Sequence, residues 1–301
     1  VAKTPLARKS GTRLWYAYFI IPGAIYVAAL SFYPFVELIR MSLSQVSARN
    51  IVRGAWPFIG LQNFRDVFRL SDFAHSFYNT LIFVAIVVFI GMVGGLGAAT
   101  ILQARGLLSR IGLVMMVFIW SMPPVVLGSL WKFILLPQGL ANAVITGLGL
   151  TARGPDWLVR ENLVLVSVAL VNSWAVIPFA TMVYRAALVD IPGELLDAAS
   201  VDGATRFQQY VYIKLPLLMP ITLILTVLTV VYAFRSFDYI YVMTYGGPGT
   251  ASTTMPFLSY RLSFVNFKYG LGATVAVFTI LIVLALAIVF VRSTERTEEG
   301  A

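Results

Sequence analysis

The chain has 301 residues, 59% of them hydrophobic and 12% charged, with a mean hydropathy of +0.85. A soluble domain carries about twice that share of charge, so the composition points to an integral membrane protein. Cysteine is absent and His75 is the sole histidine, which excludes disulfides, thiolate metal sites and a histidine-built metal centre. The net charge of +9 is scattered through loops that flank apolar runs, a pattern of contact with membrane lipid headgroups and not of nucleic-acid binding.

Four basic residues, Lys3, Arg8, Lys9 and Arg13, precede the first uncharged run, 14–36. A cleavable signal has a shorter apolar core and a small-residue cleavage site, so this run is read as a retained helix. Further uncharged runs cover 76–104, 111–131, 162–184, 215–234 and 269–291. Each is long enough to cross a hydrocarbon core of about 30 Å as a helix, and helix is required because lipid offers no partner to a free amide. The expected fold is therefore all-α, one polytopic domain over 1–301 with six transmembrane helices and both termini on one side. A seventh run, "LPQGLANAVITGLGL", carries Pro137 and three glycines, and its polar Gln138, Asn142 and Thr146 recur at helical spacing. It reads as a turn and a short interfacial helix.

Lys and Arg divide evenly, 11 to each side of such a topology. The side with the termini is the denser, packing its share into about 60 residues against about 100, which favours cytoplasmic termini. Among the opposite loops, 37–75 holds Arg40, Arg49, Arg53, Arg65 and Arg69, a surface for docking or plain solvated charge. "YGGPG", 245–249, reads as a shaped turn in another.

Between the fourth and fifth spans the sequence changes character, with Asp190, Glu194, Asp197 and Asp202 inside thirteen residues. Asp190 is placed to cap a helix whose first turn holds Pro192 and Glu194. Gly203 is placed to end it in a left-handed turn, and a second helix is expected from Thr205 towards Pro216. The plain reading is a connecting loop. Against it, membrane-surface helices carry Lys and Arg towards headgroups, whereas this segment is acidic and rich in alanine, a surface suited to docking into another protein.

The same stretch, "DAASVDGATRFQQYVYIKLP", resembles the EAA motif of the membrane subunits of binding-protein-dependent ABC importers. Asp197, Ala198 and Ala199 occupy the EAA positions, Gly203 the glycine, and Ile213, Leu215 and Pro216 the close, with aspartate in place of the leading glutamate. "GLQNF", "YNTLIF", "NSWAVIPF", "TYGGPGTASTTMPFLSYRLSF" and "YGLGATVAV" are similar, in order, to segments of the carbohydrate branch, the maltose and glycerol-3-phosphate type. The resemblance implies a type I ABC importer permease fold with cytoplasmic coupling helices over about 190–214. Glu194, Asp197, Ala198, Ala199, Asp202, Gly203, Ile213 and Pro216 would dock on the ATPase. It further implies a second, non-identical permease subunit, two copies of a cytoplasmic ABC ATPase, an external solute-binding protein or lipoprotein, and a multi-pass place in the cell membrane. ATP and Mg would be held by the ATPase and no cofactor by this chain, which has no GxxxxGK[ST] loop.

Hydrogen-bonding and aromatic side chains in or near the spans are the candidates for sugar contact: Asn172, Ser173, Trp174, Tyr232, Phe237, Asp238 and Tyr239. Packing or interfacial anchoring is the commoner role for such aromatics, and Arg235 and Asp238, three apart, are expected to pair. Asn79, Thr80 and "GMVGGLGAA" read as helix-packing features. A stand-alone secondary transporter or channel would call for intramembrane ionisable groups or an inverted repeat of broken helices, and a membrane enzyme for clustered His, Cys or paired carboxylates. The spans carry none of these.

Overall fold

The computed structural model describes residues 11–104 and 106–299, with side chains described over 18–104 and 106–290. Lys3, Arg8 and Lys9 of the N-terminal basic cluster, and Arg105, lie outside the described residues. Four helices are long and apolar enough to cross a membrane: α1 (Gly11–Ser42), α3 (Ser71–Ile101), α7 (Glu161–Val189) and α13 (Tyr269–Glu299), the first and last judged over Tyr18–Ser42 and Tyr269–Phe290. Two bent pairs raise the number to six if each is one span. A short amphipathic helix, α2 (Gln62–Arg69), lies before α3. The helices overrun the uncharged runs at several ends; α1 continues through Glu37 and Arg40, because a charged residue near a helix end is compatible with helix once it reaches a polar partner.

The α3–α7 pair is the frame of the fold. The two helices run parallel, and Gly91, Gly94 and Gly95 let α7 approach: a Cβ on Gly95 would lie 2.5 Å from the Ala180 Cβ, and Gly91 and Gly94 face Val176 and Ile177. This is the small-residue packing expected of "GMVGGLGAA", needed in lipid because apolar contact alone gives helices no preference for each other. Phe83, Val87, Val168, Ala169 and Tyr184 extend the contact into the main core, which Leu218, Leu225 and Ile240 complete. A smaller core gathers Val67, Phe73, Met255, Leu258, Leu262 and Val275.

The expected third span, 111–131, is not one helix. It is α4 (Leu107–Ser121) and α5 (Pro124–Ile134), which meet at 106°. Met122 and Pro123 each precede a proline, which disfavours helical backbone, and both are extended, with ψ of 136° and 137°. The fifth span has the expected bounds as α10 (Leu215–Phe234), yet it is bent by 61° against its approach, 206–217. Pro220 has no amide for the Pro216 carbonyl, and the five residues Tyr210–Lys214 before α10 form a π turn.

Three further expectations change. The seventh run does form a turn and a short helix, α6 (Leu140–Gly147), but Asn142 is no part of a polar face. It is buried, donating to the carbonyls of Leu136, Pro137 and Pro155 and accepting from the Trp157 indole at 2.8 Å. Asp190 does not begin a helix; α7 runs five residues past the expected end, 184, and Asp190 closes it, its amide bonded to the Ala186 carbonyl. Arg235 and Asp238 form no ion pair among the described residues, because α10 ends at Phe234 and the non-helical residues 235–237 remove the shared helical face.

At the end of the molecule opposite the acidic loop, side chains tie the connections down. Arg40 pairs with Glu37 at 3.2 Å, donates to the Gly54 carbonyl and lies over the Trp56 ring, so one of the five arginines of 37–75 has a structural role. Asn79 donates to the carbonyls of Thr250, Ala251 and Thr253, and the Thr80 hydroxyl accepts from the Met255 amide. These two residues thereby hold the loop between α11 (Asp238–Met243) and α12 (Met255–Tyr260) against α3. The turn inside that loop needs left-handed backbone at Gly246, with φ of 81°, and at Gly249, with φ of 55°.

Gly95→Leu is expected to destabilise the protein by about 1–3 kcal/mol through overpacking, lowering its unfolding temperature in detergent, while Gly97→Leu, where nothing lies within 4 Å of the added Cβ, is expected to be near neutral. Asn79→Ala removes the side-chain donor that ties this loop to α3 and is expected to cost about 1–3 kcal/mol, read as faster proteolysis within 244–255.

Candidate functional site

The acidic loop folds as two short helices whose ends are satisfied locally. In α8 (Gly193–Val201), Pro192 starts the first turn and the Glu194 carboxylate lies where the helix dipole favours negative charge. Gly203, with φ of 84°, turns the chain. The amides of Gly203 and Ala204 then return to the carbonyls of Ser200 and Ala199, the double closure of a Schellman turn. Thr205 opens α9 (Arg206–Gln209) with a capping box, its hydroxyl accepting from the Gln208 amide and the Gln208 side chain accepting from the Thr205 amide at 2.8 Å. Gln209 ties the two helices together, donating to the Ser200 hydroxyl at 2.8 Å and lying near the Leu196 and Ala204 carbonyls.

No residue of α8 or α9 is buried. Glu194, Asp197, Ala198, Asp202, Gly203 and Pro216 are exposed, and Ala199 and Ile213 are half-buried. Beside the carboxylates stand three large apolar side chains, Val201, Phe207 and Tyr212, exposed by 88%, 75% and 74%. Reading the sequence through its charges and alanines missed them. The available signal was bulky apolar residues in a segment otherwise too polar for lipid.

The second group of candidates does not form one cluster. Where α4 breaks from α5, a cavity of about 340 Å³ opens against α7, α10 and α11. Tyr232 and Tyr239 line it, together with Thr229, Trp120 and Phe179, the last two stacked at 5.8 Å. Burial raises the Tyr239 phenol above its ordinary pKa, so it is a neutral hydrogen-bonding group at physiological pH. Asn172 is fully buried; its amide donates to the Ser236 hydroxyl at 2.7 Å, and its carbonyl oxygen has no partner among the described residues. The Ser173 hydroxyl is spent within α7 on the Ala169 carbonyl. Trp174 faces away, edge-on to Trp131, in a separate apolar cavity of about 590 Å³. Phe237, just before α11, stacks on Tyr241 of α11 in an aromatic group with Phe257 and Tyr260 of α12. Asp238 is half-buried at the start of α11. Of the seven, Tyr232 and Tyr239 share the cavity; Thr229, Trp120 and Phe179 were not foreseen, because their convergence depends on the break at 122–124.

Residues 71–298 match the family model described as "Binding-protein-dependent transport system inner membrane component". The chain is 32% identical over 241 residues to the trehalose/maltose transport system permease protein MalF of Thermococcus litoralis, covering 78% of this chain and 79% of the relative. It is 31% identical to the sn-glycerol-3-phosphate transport system permease protein UgpA of Yersinia enterocolitica, covering 94% and 95%. A chain from the crystal structure of a bacterial ABC transporter involved in import of the acidic polysaccharide alginate superposes with a TM-score of 0.81, covering 95% of this chain and 96% of that one. At 22% identity that likeness is one of fold. A multi-pass helical chain with this architecture and these relatives belongs to the family of inner membrane components of binding-protein-dependent transport systems.

Proposed function

We propose that this protein is the membrane-spanning subunit of an ATP-driven ABC importer and forms half of the translocation pathway for a carbohydrate. The observation that carries the reading is the α8–α9 unit, rigid through its own caps, free of buried residues, and presenting Val201 and Phe207, with Tyr212 of the following π turn, near Glu194, Asp197 and Asp202. Exposed apolar side chains on a locally closed, acidic unit support a surface for another protein over one for anionic lipid headgroups. Here that protein is a cytoplasmic ATPase, which binds ATP and Mg, and Asp197, Ala198, Ala199 and Gly203 lie at its contact. Loop 190–214 and both termini then face the cytoplasm. The opposite end, with α2 and the tied loop 244–255, receives a solute-binding protein, and a second permease subunit supplies the other half of the path.

Carbohydrate is supported by the substrates named for the similar permeases, trehalose/maltose and glycerol phosphate. The cavity suits a sugar in kind: the Trp120 and Phe179 rings offer faces to C–H surfaces, and Tyr232, Tyr239 and Thr229 offer hydroxyls.

The deciding experiment is ATP-dependent sugar uptake into vesicles holding the complete complex; uptake by this chain alone, without ATPase, would sink the reading. Gly203→Val meets no neighbour, but it places a branched residue at φ of 84°. It is expected to cost roughly 1–2 kcal/mol of local strain and to reduce uptake while membrane insertion is unchanged. Asp197→Lys is expected to weaken ATPase association by at least about tenfold in a pull-down titration. Tyr239→Phe is expected to lower sugar uptake several-fold with ATPase association intact.

A further inference from the structure

Where α10 begins, the π turn Tyr210–Lys214 brings the phenol of Tyr210 to 3.0 Å from the Thr100 hydroxyl on the last turn of α3. The direction of this hydrogen bond follows from a second one. The Thr100 hydroxyl lies 2.8 Å from the Leu96 carbonyl, which can only accept, so its single proton is committed there. Tyr210 is therefore the donor and Thr100 the acceptor. Both residues are half-buried.

The two sides of this contact differ in what they belong to. On the loop side, the neighbouring Gln209 binds Ser200 and nears Leu196 and Ala204, so Tyr210 emerges from a unit that Gln209 ties together. On the α3 side, the Leu102 carbonyl accepts from the Ser109 hydroxyl of α4 and from the Arg185 guanidinium of α7. The end of α3 is thus joined to the helix that breaks to form the cavity and to the helix that walls it. A displacement of the acidic loop has a covalent route into α10, and through Tyr210 a lateral route into α3, α4 and α7. π turns concentrate at functional sites, and this one sets the position of the donor.

We propose that Tyr210 and Thr100 are positioning residues for energy coupling, their hydrogen bond carrying movement of the α8–α9 unit to α3. The inference rests on the reading that this unit docks on an ATPase. Coupling requires contacts that differ between two states, and a hydrogen bond of ordinary net size shifts such an equilibrium by roughly three- to tenfold.

The test uses the complete complex in nanodiscs, measuring ATP hydrolysis with and without sugar-loaded binding protein. Tyr210→Phe and Thr100→Val are each expected to lower the ratio of stimulated to basal hydrolysis by roughly three- to tenfold, with co-purification of the ATPase and the basal rate unchanged. Thr100→Ser keeps the acceptor oxygen and is expected to keep the ratio. The double variant Tyr210→Phe/Thr100→Val is expected to be no worse than either single one, since both remove the same bond. A wild-type ratio in Tyr210→Phe, or a Thr100→Ser variant as impaired as Thr100→Val, would overturn the proposal. Loss of ATPase assembly in Tyr210→Phe would overturn it too, by showing a purely structural role. Failure of the wild-type chain itself to bind an ATPase would instead remove the functional reading beneath it.

Discussion

The close approach of α3 to α7 is the constraint on which the rest of the molecule depends. Lipid gives two apolar helices no reason to prefer each other over acyl chains, so the pairing must come from surface fit. Gly91, Gly94 and Gly95 provide it by removing side chains where Val176, Ile177 and Ala180 arrive. With that pair in place, one end of α3 holds loop 244–255 through Asn79 and Thr80, and the other end meets α4, α7 and the acidic loop within three residues, Thr100 to Leu102. A single helix therefore touches the structures at both ends of the molecule.

The cavity arises from a defect placed against this frame. Two consecutive prolines forbid helix at Met122 and Pro123, and the 106° turn that results leaves a space that α5 cannot fill. In hydrocarbon such a break is tolerated where protein or a polar cavity meets the backbone, and here Met122 and Pro124 line a cavity shared with α7, α10 and α11. The same element thus removes a straight span and creates a site with hydroxyls and stacked rings.

The acidic loop obeys a different logic from the spans. Its helices are too short to be stable alone and bury nothing, so their order comes from the Schellman turn at Gly203, the Thr205–Gln208 capping box and the Gln209 bonds. Polar closure of this kind leaves the outer surface free. That is why Val201, Phe207 and Tyr212 can stay exposed on an ordered unit without being drawn into a core of its own.

Local chemistry was legible in the amino-acid order. Hydropathy located the long helices, the small-residue stretch announced a helix-packing face without naming its partner, and "VDGAT" announced a helix stop followed by a helix start. The EAA pattern announced the family. Each of these depends on residues near in sequence, or on lipid, a solvent that is the same everywhere along the chain. What only the tertiary structure decided depends on distant partners. Asn142 looked like one member of a polar face until Pro155 and Trp157 surrounded it, and Arg235 and Asp238 looked like a pair until the backbone between them left the helix. Tyr232 and Tyr239 separated from Ser173, Trp174 and Phe237 because cavity lining is set by how α4 breaks and where α7 and α10 then pack. The Tyr210–Thr100 bond joins residues 110 positions apart and has no local signature, because a hydrogen bond between helices exists only once packing has brought both hydroxyls to the same place.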